Sequence, residues 1–349
     1  MKVSVVILNW NGKKLLEQFL PSVLKHSLSE ECSVVVADNR SEDDSLLFLK
    51  THYPDLPVIV LDKNYGFADG YNKALQQINS EYVVLLNSDV ETTQNWLAPM
   101  VSFMDNHPEV AAVQPKIRAY KDKGKFEYAG AAGGFMDRYG YPFCRGRILD
   151  EVEEDHGQYD TDIDVFWATG ACLFIRRKDY SEAGGLDARF FAHMEEIDLC
   201  WRLNARGRKV MCIPSSVVFH VGGASLGKEN PKKLYLNFRN NLLMIYKNIP
   251  QRVFYSTFVV RCFFDMLACL RLLLQGNFLG ACAVAEAYRD FMKMRPIYKS
   301  IRKDNLRKTK VAHIGTQYPK SILLDFYFRG KKTYAAVMNG AKNLTRNEN

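Results

Sequence analysis

The sequence predicts an α/β fold built on a parallel sheet with helices on both faces. Three observations lead there. Short apolar runs recur through residues 1–90, amphipathic stretches of helical period separate them, and the runs are apolar throughout rather than alternating. The last feature marks strands buried on both faces.

Residues 3–8 read as the first strand. The run is too short for the core of a signal peptide, and no small-residue cleavage site follows it, so it is expected to begin the fold. Residues 13–26 carry Leu15, Leu16, Phe19, Leu20, Val23 and Leu24 at helical spacing. A second strand at 33–37 leads to a helix at 43–52, with Ser41 as its expected cap. A strand at 58–61, a helix at 69–78 and a strand at 82–86 continue the rhythm. The strands end in Asn9-Trp10-Asn11, Asp38-Asn39, Asp62-Lys63-Asn64 and Asn87-Ser88-Asp89. Ligands of such sheets bind beyond the carboxyl ends of the strands.

The middle of the chain, about 110–221, is less regular. It holds a Gly-rich aromatic segment at 128–146, read as loop or hairpin, and an acidic stretch at 150–164. A strand at 171–175 precedes Gly184-Gly185, and residues 190–202 read as a loop entering a helix. Two short strands follow, at 210–213 and 217–220. Beyond Pro231 a helix at 232–247 leads into the strongly apolar stretch 251–274. At about 100° per residue, Thr257, Arg261, Asp265 and Arg271 share a third of that helix's circumference. Charges at its centre would each cost about 2.5–3.5 kcal/mol in a spanning helix. The stretch is therefore expected to lie in the membrane plane, or to dock on the body with its charged stripe in water.

The composition, 47% hydrophobic and 25% charged, excludes a disordered chain. The net charge of +8 is uneven: residues 289–346 hold fifteen Lys or Arg against three Asp, leaving the remainder mildly acidic. Such a tail suits an anionic surface, phospholipid or nucleic acid. With no zinc or helix-turn-helix pattern, nucleic acid is not expected, and peripheral membrane contact through 253–346 is. The eight cysteines are scattered without metal-site spacing and read as reduced core residues of a cytosolic protein.

Single residues carry soft signals. Asp89, at a strand end, suits a hard divalent cation, but taken alone it reads more readily as a turn or helix-cap Asp. His220 ends another strand and is a good ligand for manganese-like ions, or a satisfied buried histidine. Glu195 and Glu196 open a helix, where the dipole favours acids anyway; only one can face a cleft squarely and act as a base. Asp198 and Arg202 are i, i+4 partners that a plain salt bridge explains.

Together these residues resemble glycosyltransferase family 2. The resemblance rests on the opening Val3 to Gly12, on Val34 to Ser41 with its Asp-Asn-x-Ser, and on Asn64-Tyr65-Gly66-Phe67-Ala68-Asp69-Gly70-Tyr71-Asn72. It continues through Asn87-Ser88-Asp89, similar to an Asp-x-Asp metal motif, and Thr169-Gly170-Ala171 with Gly184-Gly185-Leu186-Asp187. It ends with Phe190 to Arg202 and with His220, Gly222, Gly223 and Ser225. Bacterial rhamnosyltransferases of surface polysaccharide synthesis look most alike, and the resemblance covers about residues 3–247.

The resemblance implies a Rossmann-like nucleotide-diphospho-sugar transferase domain of the glycosyltransferase A type at 1–247. Its nucleotide-sugar half would be about 1–110 and its acceptor half about 111–247, with a helical, basic extension at 248–349. It implies an inverting transfer from dTDP-rhamnose or a UDP-hexose to a saccharide or lipid-linked acceptor, in a cytoplasmic enzyme peripheral on the inner face of the membrane. Asn9, Asp38, Asn64, Gly66, Phe67, Asn87, Ser88 and Asp89 would line the donor, with Asp38 on the nucleobase or ribose. Asp89 and His220 would hold Mn2+ or Mg2+. Glu196, or else Glu195, would be the base, and Gly170, His193, Asp198 and Arg202 would lie on the acceptor side. Two residues depart from the pattern, Asn87 for the first Asp of the metal motif and Glu196 for an Asp base, the latter longer by about 1.5 Å. These departures suggest the alternative of a non-catalytic sugar-nucleotide-binding scaffold in a membrane glycan-synthesis complex.

Overall fold

The structure is a computed structural model that describes residues 1–222, 230–311 and 313–345, with side chains to 339. Four parallel strands form its first half: β1 (Val3–Asn9), β2 (Cys32–Asp38), β3 (Val58–Val60) and β4 (Tyr82–Asn87), in spatial order β3-β2-β1-β4. Helices α1 (Lys13–Ser27), α2 (Ser45–His52) and α3 (Gly66–Leu75) connect them. Side-chain alternation divides the core. Val5, Ile7, Val34, Val36, Val84 and Leu86 face one layer, with α1 and α2. Val6, Val35, Ala37, Val83 and Leu85 face the other, with α3.

Beyond β4 come β5 (Val90–Thr92), α4 (Ala98–Asn106) and β6 (Val110–Ala119). Segment 128–146 contains a hairpin of β7 (Gly134–Asp137) and β8 (Pro142–Cys144), extended by β9 (Arg147–Ile148) and β10 (Glu151–Val152). After β11 (Ile163–Asp164), strand β12 (Cys172–Arg176) inserts between β4 and β6 and runs antiparallel to both. The sheet is thus mixed, since β12 starts at the cleft and runs back across it. Helices α5 (Arg177–Ala183) and α6 (Glu195–Ala205) follow. The two strands expected at 210–213 and 217–220 are one bent strand, β13 (Lys209–His220), whose register against β6 shifts between Ile213 and Val217. The intervening Pro214 accounts for the break, having no N–H for the ladder.

Two smaller expectations also change. Helix α3 starts at Gly66 rather than at 69. Ser41 does not cap α2; its hydroxyl accepts from the Asn11 N–H and the Asn9 amide. All eight cysteines are free, but Cys282 is exposed rather than a core residue.

The C-terminal part consists of α7 (Pro231–Asn248), α8 (Gln251–Leu274), α9 (Phe278–Met294), α10 (Tyr298–Lys308), β14 (Gln317–Tyr318), α11 (Ile322–Tyr327) and α12 (Tyr334–Thr345). Tyr298, Tyr318, Ile322 and Tyr334 join the same apolar cluster as the strand residues, and β14 pairs in parallel with β7. A buried charge network fastens this part to α6. Asp198, fully buried, accepts from Arg202 (3.0 Å), Lys247 (3.0 Å) and Asn248 (2.8 Å). Lys247 also reaches Asp187 at 2.6 Å, and the Tyr298 hydroxyl donates to Asp187.

Helix α8 reverses one expectation. Its stripe is not in water: Thr257, Arg261 and Asp265 are buried, and only Arg271 is exposed. Asp265 accepts from the hydroxyls of Tyr141 and Tyr288, each at 2.8 Å, and pairs with Arg261 at 3.1 Å. The Arg261 guanidinium lies 3.7 Å from the Tyr141 ring centroid. A fully partnered carboxylate and a guanidinium stacked on an aromatic face are stable away from water. Phe254 packs into the core, but most of the apolar residues from Val259 to Leu274 face outward instead. Among the described residues, no helix is long and apolar enough to cross a membrane.

The buried network yields a stability prediction. Lys247→Ala leaves Asp187 and Asp198 short of a cation, and should cost about 3–5 kcal/mol, read as a lower urea midpoint. Burial opposes ionising Asp198, but Lys247 and Arg202 outweigh it and hold its pKa below the ordinary 3.8. The network's contribution should therefore be intact above about pH 4 and vanish as pH falls through the depressed folded value.

Candidate active site

The polar strand ends meet at one edge of the sheet. Asn9 and Asp38 are paired neighbours on β1 and β2, and the Asn9 amide donates to Asp38 at 3.0 Å. The other Asp38 oxygen accepts the Ser41 N–H at 2.8 Å, and Asp38 is fully buried. Asp38 thus organises the β2 turn with both oxygens engaged. The Asn39 amide donates to Asn64 (3.1 Å) and to the Gly66 carbonyl (2.9 Å), which aligns the third strand end with the first two. Gly66 has φ +73°, and a Cβ there would stand 2.5 Å from the Phe191 ring. No side chain fits that position.

The last of these strand ends is that of β4. Asp89 precedes β5, which pairs with β13 so that Val90 opposes His220. His220 Nε2 therefore sits 3.0 Å from Asp89 Oδ1, with the Asn87 amide at 3.3 Å. Glu127 approaches the other ring nitrogen, Nδ1, at 3.5 Å. Burial disfavours charging the ring, but Asp89 and Glu127 outweigh it and hold its pKa at about 10. Three acid or imidazole ligands do not converge among the described residues, because Glu127 lies on the far side of the ring. The Asp89–His220 pair nevertheless fits a divalent ion. Its 3.0 Å spacing is the edge of an octahedron with bonds of about 2.1 Å. Ions of this kind take one or two protein ligands and complete their shell with water and phosphate oxygens. Glu127 behind the ring matches the carboxylate that orients a ligating histidine.

The acidic pair enters from the opposite side. Phe191, His193 and Met194 have positive φ, a conformation uncommon outside glycine, just before α6. Asn240, fully buried, holds this turn by donating to the carbonyls of Phe190, Ala192 and His193 at 2.8–3.0 Å. The Phe191 carbonyl accepts the N–H groups of Phe67 and Ala68, which joins the turn to the first turn of α3. Glu195 is buried and Glu196 half-buried. A Cβ at Gly170 would lie 3.3 Å from the Phe67 ring and 3.7 Å from the Glu196 carboxyl carbon, so these three share one spot. Burial raises both glutamate pKa values, and the charge of Glu196 pushes Glu195 further. Each carboxylate keeps one buried oxygen, Oε2, without a hydrogen-bond partner. Burial also lowers His193 to about 4, so its ring is neutral, and its Nε2 has no partner.

The structure thus gathers Asn9, Asp38, Asn64, Gly66, Asn87, Ser88, Asp89 and His220 at the strand ends, and the Asn87 N–H, donating to the Ala171 carbonyl, sets Gly170 with Phe67 and Glu196 beside them; Glu195 is buried next to Glu196, and His193 lies in the turn before α6. Asp198 and Arg202 are not among these; they belong to the buried network beneath α6. Gly223 and Ser225 lie outside the described residues. Sequence reasoning missed Glu127, Asn39, Phe191 and Asn240. Asn39 could have been found from its place in the Asp-Asn turn. Glu127 gives no local signal and reaches His220 only through the pairing of β6 with β13.

The sequence model of Glycosyl transferase family 2 matches residues 4–183. The chain is 25% identical over 259 residues to the N-acetylglucosaminyl-diphospho-decaprenol L-rhamnosyltransferase of Mycobacterium tuberculosis, covering 69% of this chain and 83% of that protein. Among solved structures it resembles S. aureus TarS 1-349 in complex with UDP-GlcNAc, at TM-score 0.55 and 16% identity over 88% of this chain and 89% of that one. It also resembles GalNAc-T7 with UDP, GalNAc and Mn2+, at TM-score 0.54 and 17% identity. That likeness covers 71% of this chain and 48% of GalNAc-T7, so the chain spans about half of that protein's length. The structural likenesses show a shared fold.

The His220 geometry can be checked by NMR titration of the metal-free protein. Its imidazole should titrate near pH 10, and Glu127→Gln should lower that value. Since the ordinary value is 6.5, the stability His220 contributes should be full below about pH 6.5 and lost as pH rises through about 10. Manganese added near neutral pH should displace a proton and bind more tightly as pH rises.

Proposed function

The chain belongs to glycosyl transferase family 2, with that family's A-type fold and role in glycan synthesis, and on that premise we propose how its cleft works. It transfers a sugar with inversion from a nucleoside diphosphate carrier to a hydroxyl of a saccharide or lipid-linked acceptor. The observation that carries this reading is the position of Glu196, half-buried beside Gly170 and Phe67, where the donor side meets the acceptor side. Residues 1–247 form the catalytic region in this reading and 248–349 the extension.

Asn9, Asp38, Asn64, Gly66 and Phe67 shape the nucleoside end of the donor site, and Asn87, Ser88 and Asp89 its diphosphate end. Asp89 and His220 would hold Mn2+ or Mg2+, which when bound offsets the charge of the departing diphosphate. Glu196 takes the proton of the acceptor hydroxyl as that oxygen bonds to the anomeric carbon and the bond to the diphosphate oxygen breaks. Its raised pKa makes it a stronger base than an exposed glutamate. Glu195, more enclosed and facing the charge of Glu196, is pushed further up, so of the two Glu196 ionises more readily. Neutral His193 borders the acceptor side and can accept a hydrogen bond at Nε2.

Similarity to an L-rhamnosyltransferase, and a shared fold with a protein solved with UDP-GlcNAc, support dTDP-rhamnose or a UDP-hexose as donor. The decaprenyl diphosphate in the former's name supports a lipid-linked acceptor and a place on the inner face of the cell membrane.

Glu196→Gln should lower transfer by about 10²–10⁴-fold while the thermal shift given by the donor persists. Full activity in that variant would remove Glu196 as the base. Asp89→Ala should abolish the manganese-dependent part of the thermal shift, and a rate indifferent to chelator would remove the ion. The acid limb of the rate should lie above the ordinary glutamate range, since the folded pKa of Glu196 is raised.

A further inference from the structure

Helix α8 is inverted for a surface helix. Its charged stripe points inward onto Tyr141 and Tyr288, while Val259, Phe263, Met266, Leu270 and Leu274 form the outward stripe, 51–81% exposed. The outward face continues onto neighbouring elements. Phe278 and Leu279, in the first turn of α9, are 66% and 72% exposed. Arg271 donates to the Tyr327 hydroxyl at 3.0 Å, which sets the end of α11 beside α8, and Phe328 just beyond is 82% exposed. Three elements of the extension thus present large apolar side chains to water, and on α8 they form a continuous stripe. Contiguous patches of this kind on a single chain mark an interaction site.

Charge complementarity identifies the occupant. The basic surplus of the chain lies in this same extension, and Arg252, Lys293, Lys299, Lys303 and Lys332 are exposed there. Apolar stripes accompanied by lysine and arginine suit an anionic bilayer. A second copy of this chain would bring the same positive charge to the contact. Because Arg261 and Asp265 are consumed inside the protein, the helix can lie in the plane of the bilayer with only its exposed Arg252 and Arg271 left to reach the headgroups.

We propose that the outward face of α8, with the first turn of α9 and the end of α11, inserts into the headgroup boundary of an anionic membrane. The inference deepens the lipid-linked acceptor reading and rests on it only for the purpose of the contact. The path to the cleft is short. Tyr141, which holds Asp265, follows Gly140, whose carbonyl accepts from Asn241, and Asn241 also contacts Met194 at the head of α6.

The test is flotation of the full chain with phosphatidylcholine vesicles, with and without phosphatidylglycerol. The chain should float with the anionic vesicles and be released by salt. The triple variant M266Q/L270Q/L274Q should lower the bound fraction about tenfold or more, with an unchanged thermal midpoint and an unchanged donor thermal shift measured without vesicles. Absence of flotation by the unsubstituted chain, or flotation indifferent to the triple variant, would overturn the proposal. So would a dimer in sedimentation equilibrium that the variant splits, since the patch would then belong to a second copy. Loss of the donor shift in the unsubstituted chain would count against the transferase reading and leave the flotation result standing by itself.

Discussion

One side-chain amide decides whether the two halves of the cleft face each other. Asn240 reaches up from α7 and gathers the carbonyls of Phe190, Ala192 and His193, a turn in which three non-glycine residues have positive φ. Such residues cost of order 1–3 kcal/mol each and persist only where their surroundings over-determine them. The turn directs the Phe191 carbonyl at the start of α3 and fixes the origin of α6. The turn at Gly66, the closeness of Phe67 to Gly170 and the depth of Glu195 against Glu196 all follow. Asp198 and Lys247 hold α6 and α7 together about two turns of α7 further on, so the amide works against a rigid base.

Much of the fold was legible because burial on both faces leaves an unambiguous trace. Strands β1 to β4 lie within a residue or two of the apolar runs, and the bounds of α8 coincide with the apolar stretch. What escaped depended on partners far away in the chain. The reversed direction of β12 follows from its insertion between β4 and β6, which its own residues do not encode. The orientation of α8 follows from Tyr141 and Tyr288, whose hydroxyls make a buried Asp265 tolerable. Periodicity located the polar stripe correctly; whether a stripe faces water or protein depends on what satisfies it.

The site was legible in a different way. Single residues such as Asp89 and His220 had bland readings that outweighed the functional ones, and only the ordered set of motifs made them specific. The structure then supplied a reason for the set, since the Val90–His220 pairing brings Asp89 and the imidazole together. Asp198 and Arg202 show the reverse. They belong to the same motif but support the helix from below, so sequence adjacency to Glu196 did not imply a place in the cleft. Glu127 is the residue sequence reasoning had no means to find, since its relation to His220 exists only across the β6–β13 ladder.

The pairing of β14 with β7 has a consequence for biogenesis. Gln317 lies beside Met136, and the buried Asp137 carboxylate accepts the Ile322 N–H across 185 positions of chain. Contacts of such span close late. During synthesis the hairpin edge and the pockets for Tyr318 and Tyr334 stay open until the ribosome has made the chain past position 334. The nascent sheet therefore emerges with an unpaired strand edge and wet core positions, a period in which holdase chaperones or the bilayer itself would shelter it.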